Sequence, residues 1–184
     1  MSKSVWKAFY DEQKEERWLN EMSAKGYALT NYTWMHYRFE DAAPGEYIYR
    51  IELLDNDIKT KESLAYLDFL KQSDVEFVAS YMRWVYLRKK AADGPFEVYT
   101  DNESKLAYLK RLSNFYLTFG LVLAAMAILQ LTWIIPGIGS GRYFWIANAV
   151  GLVLAGVVGG VILSLWARYR RQIERLKRDK VVFD

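Results

Sequence analysis

Eight residues in the first half of the chain have the types and spacing of a working surface: Tyr32, Trp34, His36, Arg38, Arg50, Glu52, Trp84 and Tyr86. They recur at alternate positions in stretches that read as β-strands, so within each stretch they project from one side. Aromatic rings interleaved with cations can stack bases, and they can equally dock a protein, since Trp, Tyr and Arg concentrate where proteins meet. Charge favours the protein partner. Residues 1–99 hold 14 Lys and Arg against 17 Asp and Glu, and the aromatic RNP1 pattern of an RNA-recognition sheet is absent. The expected partner is thus a protein and not nucleic acid, with self-association or burial against neighbouring segments as the other uses of this face.

Other chemistry is poorly supplied. The chain has no Cys and one His, which excludes thiolate sites, disulfides and multi-His metal centres. His36 by itself reads as an ordinary strand histidine. Asp41, Asp55 and Asp57 sit in turn-like clusters and do not make a carboxylate pair. No phosphate-binding loop, Gly-x-Ser-x-Gly elbow, zinc pattern or kinase set occurs. The expectation is a protein without catalytic residues, metal or cofactor.

The elements that position these residues can be read in order. Val5–Phe9 is an apolar run suited to a strand. Asp11 offers an N-cap to a helix with Glu12, Glu15 and Glu16 in its first turn and Gly26 as its stop. Tyr27–Phe39 alternates as one strand and Glu46–Leu54 as the next, with the turn cluster Asp41–Gly45 between them. Thr60 caps a second helix carrying Leu64, Leu67 and Leu70, and Val75–Leu87 is the last strand region. The order β-α-β-β-α-β predicts an α+β, ferredoxin-like domain over 1–90: a four-stranded antiparallel sheet with both helices on one face. The eight-residue set would then form the open face.

A linker follows over 91–100, and Thr100 with Glu103 reads as a capping box. No Pro or Gly interrupts the chain from there to Gly120, so one helix should run from the juxtamembrane stretch 101–114 into the apolar segment 115–135. A second apolar segment spans 144–167, after a Gly-rich loop over 136–143. Neither segment contains Asp, Glu, Lys or Arg, and each has about the 20 residues that a helix needs to cross a bilayer core. They read as a transmembrane hairpin. Lys and Arg flank its outer ends and only Arg142 lies in the loop, which predicts both termini in the cytoplasm, at a cell membrane. The opening residues lack an apolar signal-peptide core, which fits a cytosolic first domain.

Within the hairpin, Gly120 and Ala124 on one span and Gly156, Gly160 and Ser164 on the other make small-residue steps. They suit packing inside the hairpin or assembly with a second copy or another membrane protein. Gln130 and Asn148 are the polar residues within the spans. The tail 168–184 is basic, and Arg168, Arg170, Arg171 and Arg175 should meet anionic lipid headgroups.

Several stretches resemble a bacterial family known as domain of unknown function 2812: Glu16-Arg-Trp-Leu-Asn-Glu-Met-Ser-Ala-Lys-Gly26, Tyr37-Arg-Phe39, Tyr47-Ile-Tyr-Arg-Ile51, and Gly94-Pro-Phe-Glu-Val-Tyr-Thr-Asp-Asn-Glu-Ser-Lys105. The likeness covers residues 1 to about 111. It implies a small membrane protein, of a kind often encoded beside PadR-like transcription regulators, and it brings no activity or catalytic residue with it. The expected role is a membrane-anchored regulatory or adaptor protein whose cytosolic domain binds a transcription regulator or transporter. The alternative is an accessory subunit of a membrane complex, assembled through the Gly156/Gly160 face.

Overall fold

The computed structural model describes residues 2–99, 101–137 and 144–182. The chain divides into two compact units, Met1–Thr100 and Asp101–Asp184. The first is α+β, but it has six strands instead of four. They are β1 (Ser2–Trp6), β2 (Tyr27–Thr33), β3 (His36–Asp41), β4 (Tyr47–Leu53), β5 (Glu76–Tyr81) and β6 (Trp84–Lys90). The helices α1 (Glu12–Ala24) and α2 (Lys61–Lys71) follow β1 and β4.

The ferredoxin-like sheet is replaced by two antiparallel three-stranded sheets, ordered β1-β3-β2 and β4-β6-β5. The two stretches expected as single long strands each fold back on themselves. Trp34 and Met35 turn the first at φ +32° and +65°, and Met82 turns the second at φ +55°. Two-residue hairpin turns demand such left-handed backbone, which Gly or Asn usually supplies. Here bulky residues hold it, so the alternating pattern runs through each turn without a visible break. β4 therefore pairs with β6, and not with the strand before it.

The same β-α-β-β unit is built twice. Each hairpin carries a bulge at a matching place, between Leu29 and Asn31 and between Phe77 and Ala79. Leu29 and Phe77, like Trp34 and Met82, stand 48 positions apart. The helix starts match as well: Asp11 Oδ1 accepts from Gln13 N at 3.0 Å, and Thr60 Oγ1 accepts from Ser63 N at 3.3 Å.

Two apolar clusters hold the unit. One joins Leu19 and Met22 of α1, Leu29, Tyr37 and Phe39 of the first sheet, and Tyr49, Ile51, Ala79 and Tyr86 of the second. The other joins Leu70 of α2 to Leu54, Val75, Val85, Leu87 and Phe96. Along β6, Tyr86 points into the first cluster while Val85 and Leu87 point into the second, so the β4-β6-β5 sheet is buried on both faces.

A strand edge inside such a core would strand its N–H and C=O groups. α1 prevents this along β4. Asn20 donates to Tyr49 O at 3.1 Å and accepts from Tyr49 N at 2.9 Å. Ser23 Oγ donates to Tyr47 O at 2.6 Å, and Glu16 Oε2 accepts from Ile51 N at 3.1 Å. Positions 16, 20 and 23 are successive steps along one helix face, matched to alternate residues of the strand. The bulged edge of β2 is closed in the same currency: Tyr49 Oη accepts from Leu29 N at 2.8 Å, and Arg88 donates to Leu29 O at 3.3 Å.

The second unit is two helices, α3 (Asn102–Gly137) and α4 (Phe144–Val182), packed side by side. α3 is continuous, and Asp101 caps it by accepting from Ser104 N at 2.8 Å. Thr100, the expected cap, and most of the expected loop at 136–143 lie outside the described residues. Leu109, Leu112 and Tyr116 of α3 and Leu165, Tyr169 and Ile173 of α4 are buried, and the Tyr116 and Tyr169 rings stack at 5.6 Å. Both helices are long and apolar enough to cross a membrane.

Replacing Asn20 by Ala would remove the partner of the Tyr49 N–H and leave Tyr49 O, in a fully buried residue, with the longer 3.4 Å bond from Arg50. The expected cost is about 1–3 kcal/mol, read as a lower midpoint when the unit's tertiary near-ultraviolet signal is melted in the full chain. An unchanged midpoint would show that the β4 edge does not need α1.

Candidate functional site

The eight residues expected on one open face are divided by the structure. The bulge at Thr30 reverses the parity of β2, so Tyr32 stands opposite Tyr37 and turns inward, its ring 4.7 Å from that of Tyr37 and 4.5 Å from that of Tyr86. Tyr86 and Glu52 are buried, and Trp84 packs on the first cluster. Arg50 is half-buried, paired with Glu16 at 2.9 Å and donating to Phe96 O at 3.0 Å. These five therefore belong to the interior. The expectation failed because the β4-β6-β5 sheet has no open face.

Three of the set remain together at the surface or near it: Trp34 in the β2–β3 turn, and His36 and Arg38 on the outer side of β3. Their neighbours come from β1, whose register places Trp6 opposite His36 and Ser4 opposite Arg38. Trp6 stacks on His36 with ring centroids 4.6 Å apart, and the Ser4 hydroxyl bonds the His36 ring. Trp6 and Ser4 escaped sequence reading because the first strand was read as the apolar run Val5–Phe9, three residues later than Ser2–Trp6, and its faces were not assigned. This outer face of the β1-β3-β2 sheet is polar and aromatic.

The interior holds two carboxylates, each met by two phenols. Glu15 Oε1 accepts from Tyr37 and Tyr86, both at 2.6 Å. Glu52 accepts from Tyr66 at 2.8 Å and from Tyr99. Burial pushes the Glu15 carboxyl above its ordinary range, and the two phenol donors offset this only in part. The phenols of Tyr37 and Tyr86 are held far above theirs, by burial and by the carboxylate beside them, so they remain donors. Glu15 ties α1 to both sheets at one atom. Such a group could serve as an acid or base only with a reactant beside it.

In the second unit, Gly120 packs toward Ile162, with 3.5 Å between that side chain and the place of a Cβ. Gly151 gives room to the Gln130 side chain, which a Cβ would meet at 2.9 Å. Gly156 and Gly160 are different: a Cβ on either would meet nothing. With Gly120, Ala124 and Gly159 they line an apolar groove of about 430 Å³ along the hairpin. Ser164 is exposed and bonds its own helix at Val161 O. Beyond the apolar stretch, Arg168 lies over the Tyr169 ring and Arg170 over Trp166, while Arg171 and Arg175 are exposed.

Glu15 binds its proton more readily folded than unfolded, so its burial costs stability wherever the unfolded carboxylate is ionised. That cost should shrink as pH falls from neutral toward the ordinary carboxylate range and grow as pH rises through the folded value. Melts of the first unit's tertiary signal at pH 5 and pH 7.5 should show the wild-type chain gaining on Glu15→Gln at the lower pH. Parallel behaviour of the two chains would rule the effect out.

No curated protein and no solved structure matches the chain. A family model described as "Protein of unknown function (DUF2812)" matches residues 11–121. That range takes in α1 with its Glu16, Asn20 and Ser23, both carboxylate clusters and the first part of α3, and it leaves out β1 and α4. The match covers well over half of the sequence, and the chain belongs to the DUF2812 family.

Proposed function

We propose that this chain is a membrane-anchored adaptor, without catalytic activity, that presents its first unit to a protein partner at the inner face of the cell membrane. The observation that carries this reading is the outer face of the β1-β3-β2 sheet, where the Trp6–His36 stack and exposed Arg38 stand on a rigid, fully packed support. A pre-ordered aromatic pair beside a cation loses little entropy on docking and offers the residue types that dominate interface energetics. The two long apolar helices support the anchor. The excess of Lys and Arg at their outer ends supports cytoplasmic termini, with Arg168, Arg170, Arg171 and Arg175 at the anionic headgroups. A transcription regulator or a transporter is the class of partner that fits such a position.

A second reading has its own observation. Gly156 and Gly160 face open space beside an apolar groove, which suits close approach of a further helix, from a second copy or from a larger membrane complex.

Crosslinking pull-downs from native membranes separate the two. Arg38→Glu with His36→Glu should abolish recovery of the partner, while Gly156→Leu with Gly160→Leu should leave it intact. The opposite pattern would replace the adaptor by the accessory subunit, and recovery insensitive to both would sink each assignment.

A further inference from the structure

Of the exposed large apolar side chains of the first unit, Leu64, Phe69 and Phe77 lie on α2 and β5, while Trp6, Tyr10, Trp34, Tyr81 and Met82 gather at one end. β1, β2, β4 and β5 all finish there, and β3 and β6 begin there, because each register pairs the last residues of one strand with the first of the next: Trp6 and Thr33 with His36, and Leu53 and Tyr81 with Trp84. The two hairpin turns lie side by side, with the Tyr32 and Tyr81 rings 6.1 Å apart. From this end project Trp34, 58% exposed, and Met82, 68% exposed, at equivalent places in the two repeats, with Tyr10 58% exposed in the loop between β1 and α1. A turn tip that spends a Trp and a Met on water is costly to solubility and contributes nothing to the core.

The chain also leaves the unit at this end. After β6 it runs back beside β4, with Phe96 O meeting Arg50 and the Tyr99 hydroxyl meeting Glu52. β4 itself runs from Tyr47 toward the tips, so the exit follows the same direction. α3 starts at Asn102, and the apolar stretch begins near Phe115. The intervening helix is 13 residues, roughly 20 Å at 1.5 Å per residue. The tips and the apolar helices belong to one chain, so a bilayer that holds the helices meets the tips as a tethered surface, at high effective concentration. Trp and Tyr are the side chains that headgroup regions hold best, with an apolar body and a polar handle.

Resting on the membrane-anchored reading, we infer that the paired hairpin tips, through Trp34 and Met82 with Tyr10 beside them, insert into the headgroup layer of the bilayer that holds the chain. The contact is driven by the aromatic and thioether groups more than by charge. Lys7 and Lys14 flank the tips and Arg83 lies in one of them, donating to Leu54 O, while Asp55 and Asp57 follow β4 at the same end; the near balance of charge means that the contact should persist at high salt.

The chain has no native Cys, which permits single-site labelling. Trp34→Cys and Met82→Cys would each carry an environment-sensitive fluorophore in the full chain, reconstituted in phosphatidylcholine–phosphatidylglycerol nanodiscs with and without spin-labelled lipid. Ala125→Cys, exposed on α3, reports the anchor, and Ala43→Cys, exposed at the far end of the first unit, reports water. The expected result is a blue shift and lipid-dependent quenching at 34, 82 and 125, and neither at 43. Quenching at 125 with water-like emission at 34 or 82 would overturn the tip contact and leave the anchor standing. A blue shift at the tips without quenching would overturn it in favour of a protein cover. Absence of quenching at 125 would remove the anchor and the tip contact together.

Discussion

The first unit depends on closing the β4 edge. Once a sheet is buried on both faces, its edge groups lose access to water, and each unpaired N–H or C=O costs as much as a lost buried hydrogen bond. α1 supplies the missing partners from Glu16, Asn20 and Ser23, and it thereby fixes its own rotation and height against the second sheet. Leu19 and Met22, on the neighbouring stripe of the same helix, are then committed to the first cluster. Burial and edge closure are two consequences of one helix placement. The residues that look like surface polarity in the sequence are the ones that specify the packing.

The buried carboxylates extend the same logic. Glu15 lies on the helix that seals β4, and its two phenol donors come from different sheets, Tyr37 from the first and Tyr86 from the second. A single oxygen therefore holds three elements in register. Burying a carboxyl is expensive, and the tyrosines return only part of that cost. What they add is direction, because an apolar core alone would tolerate sliding between the sheets. Glu52 does comparable work farther out, where Tyr66 of α2 and Tyr99 of the segment leaving the unit meet on it.

Much of this was legible in the sequence, and the failures have physical causes. Both helices of the first unit were readable from Asp11 and Thr60 as caps, and Gly26 does take φ +83° past the end of α1. The long α3 was readable from the lack of Pro and Gly up to Gly120. The hairpin turns were hidden because Trp34, Met35 and Met82 hold left-handed backbone that such residues rarely adopt. The bulge at Thr30 then moved Tyr32 from the outer face to the core, which no count of alternate residues can foresee. The duplication was invisible for a related reason. It survives in bulge and turn positions, while the side chains at those positions have diverged: Trp34 answers to Met82, and Leu29 to Phe77. For the candidate face, alternation found His36 and Arg38 correctly as outward residues, but it could not show which sheet would be covered twice.

The duplication also explains why the two halves are not equivalent. Counted from the helix caps Asp11 and Thr60, which stand 49 positions apart, Ala65, Phe69 and Gln72 fall where α1 carries Glu16, Asn20 and Ser23. An alanine and a phenylalanine cannot give a strand alternating donors and acceptors, so α2 cannot repeat the edge-sealing role of α1. It packs on its own sheet through Leu70 and Leu67, leaving Leu64 and Phe69 exposed. β1, the strand that answers to β4, ends its sheet and is exposed along nearly its whole length. It is five residues long and carries Lys3 near its middle, two features that discourage edge-to-edge pairing. One repeat is thus built for closure, with Tyr47, Tyr49 and Ile51 on its β4 edge bonded by α1 inside a double core. The other keeps an accessible strand and an open sheet face. A fold made twice can divide its labour in this way, because the sealed half supplies the rigidity on which the open half can present Trp6, His36 and Arg38.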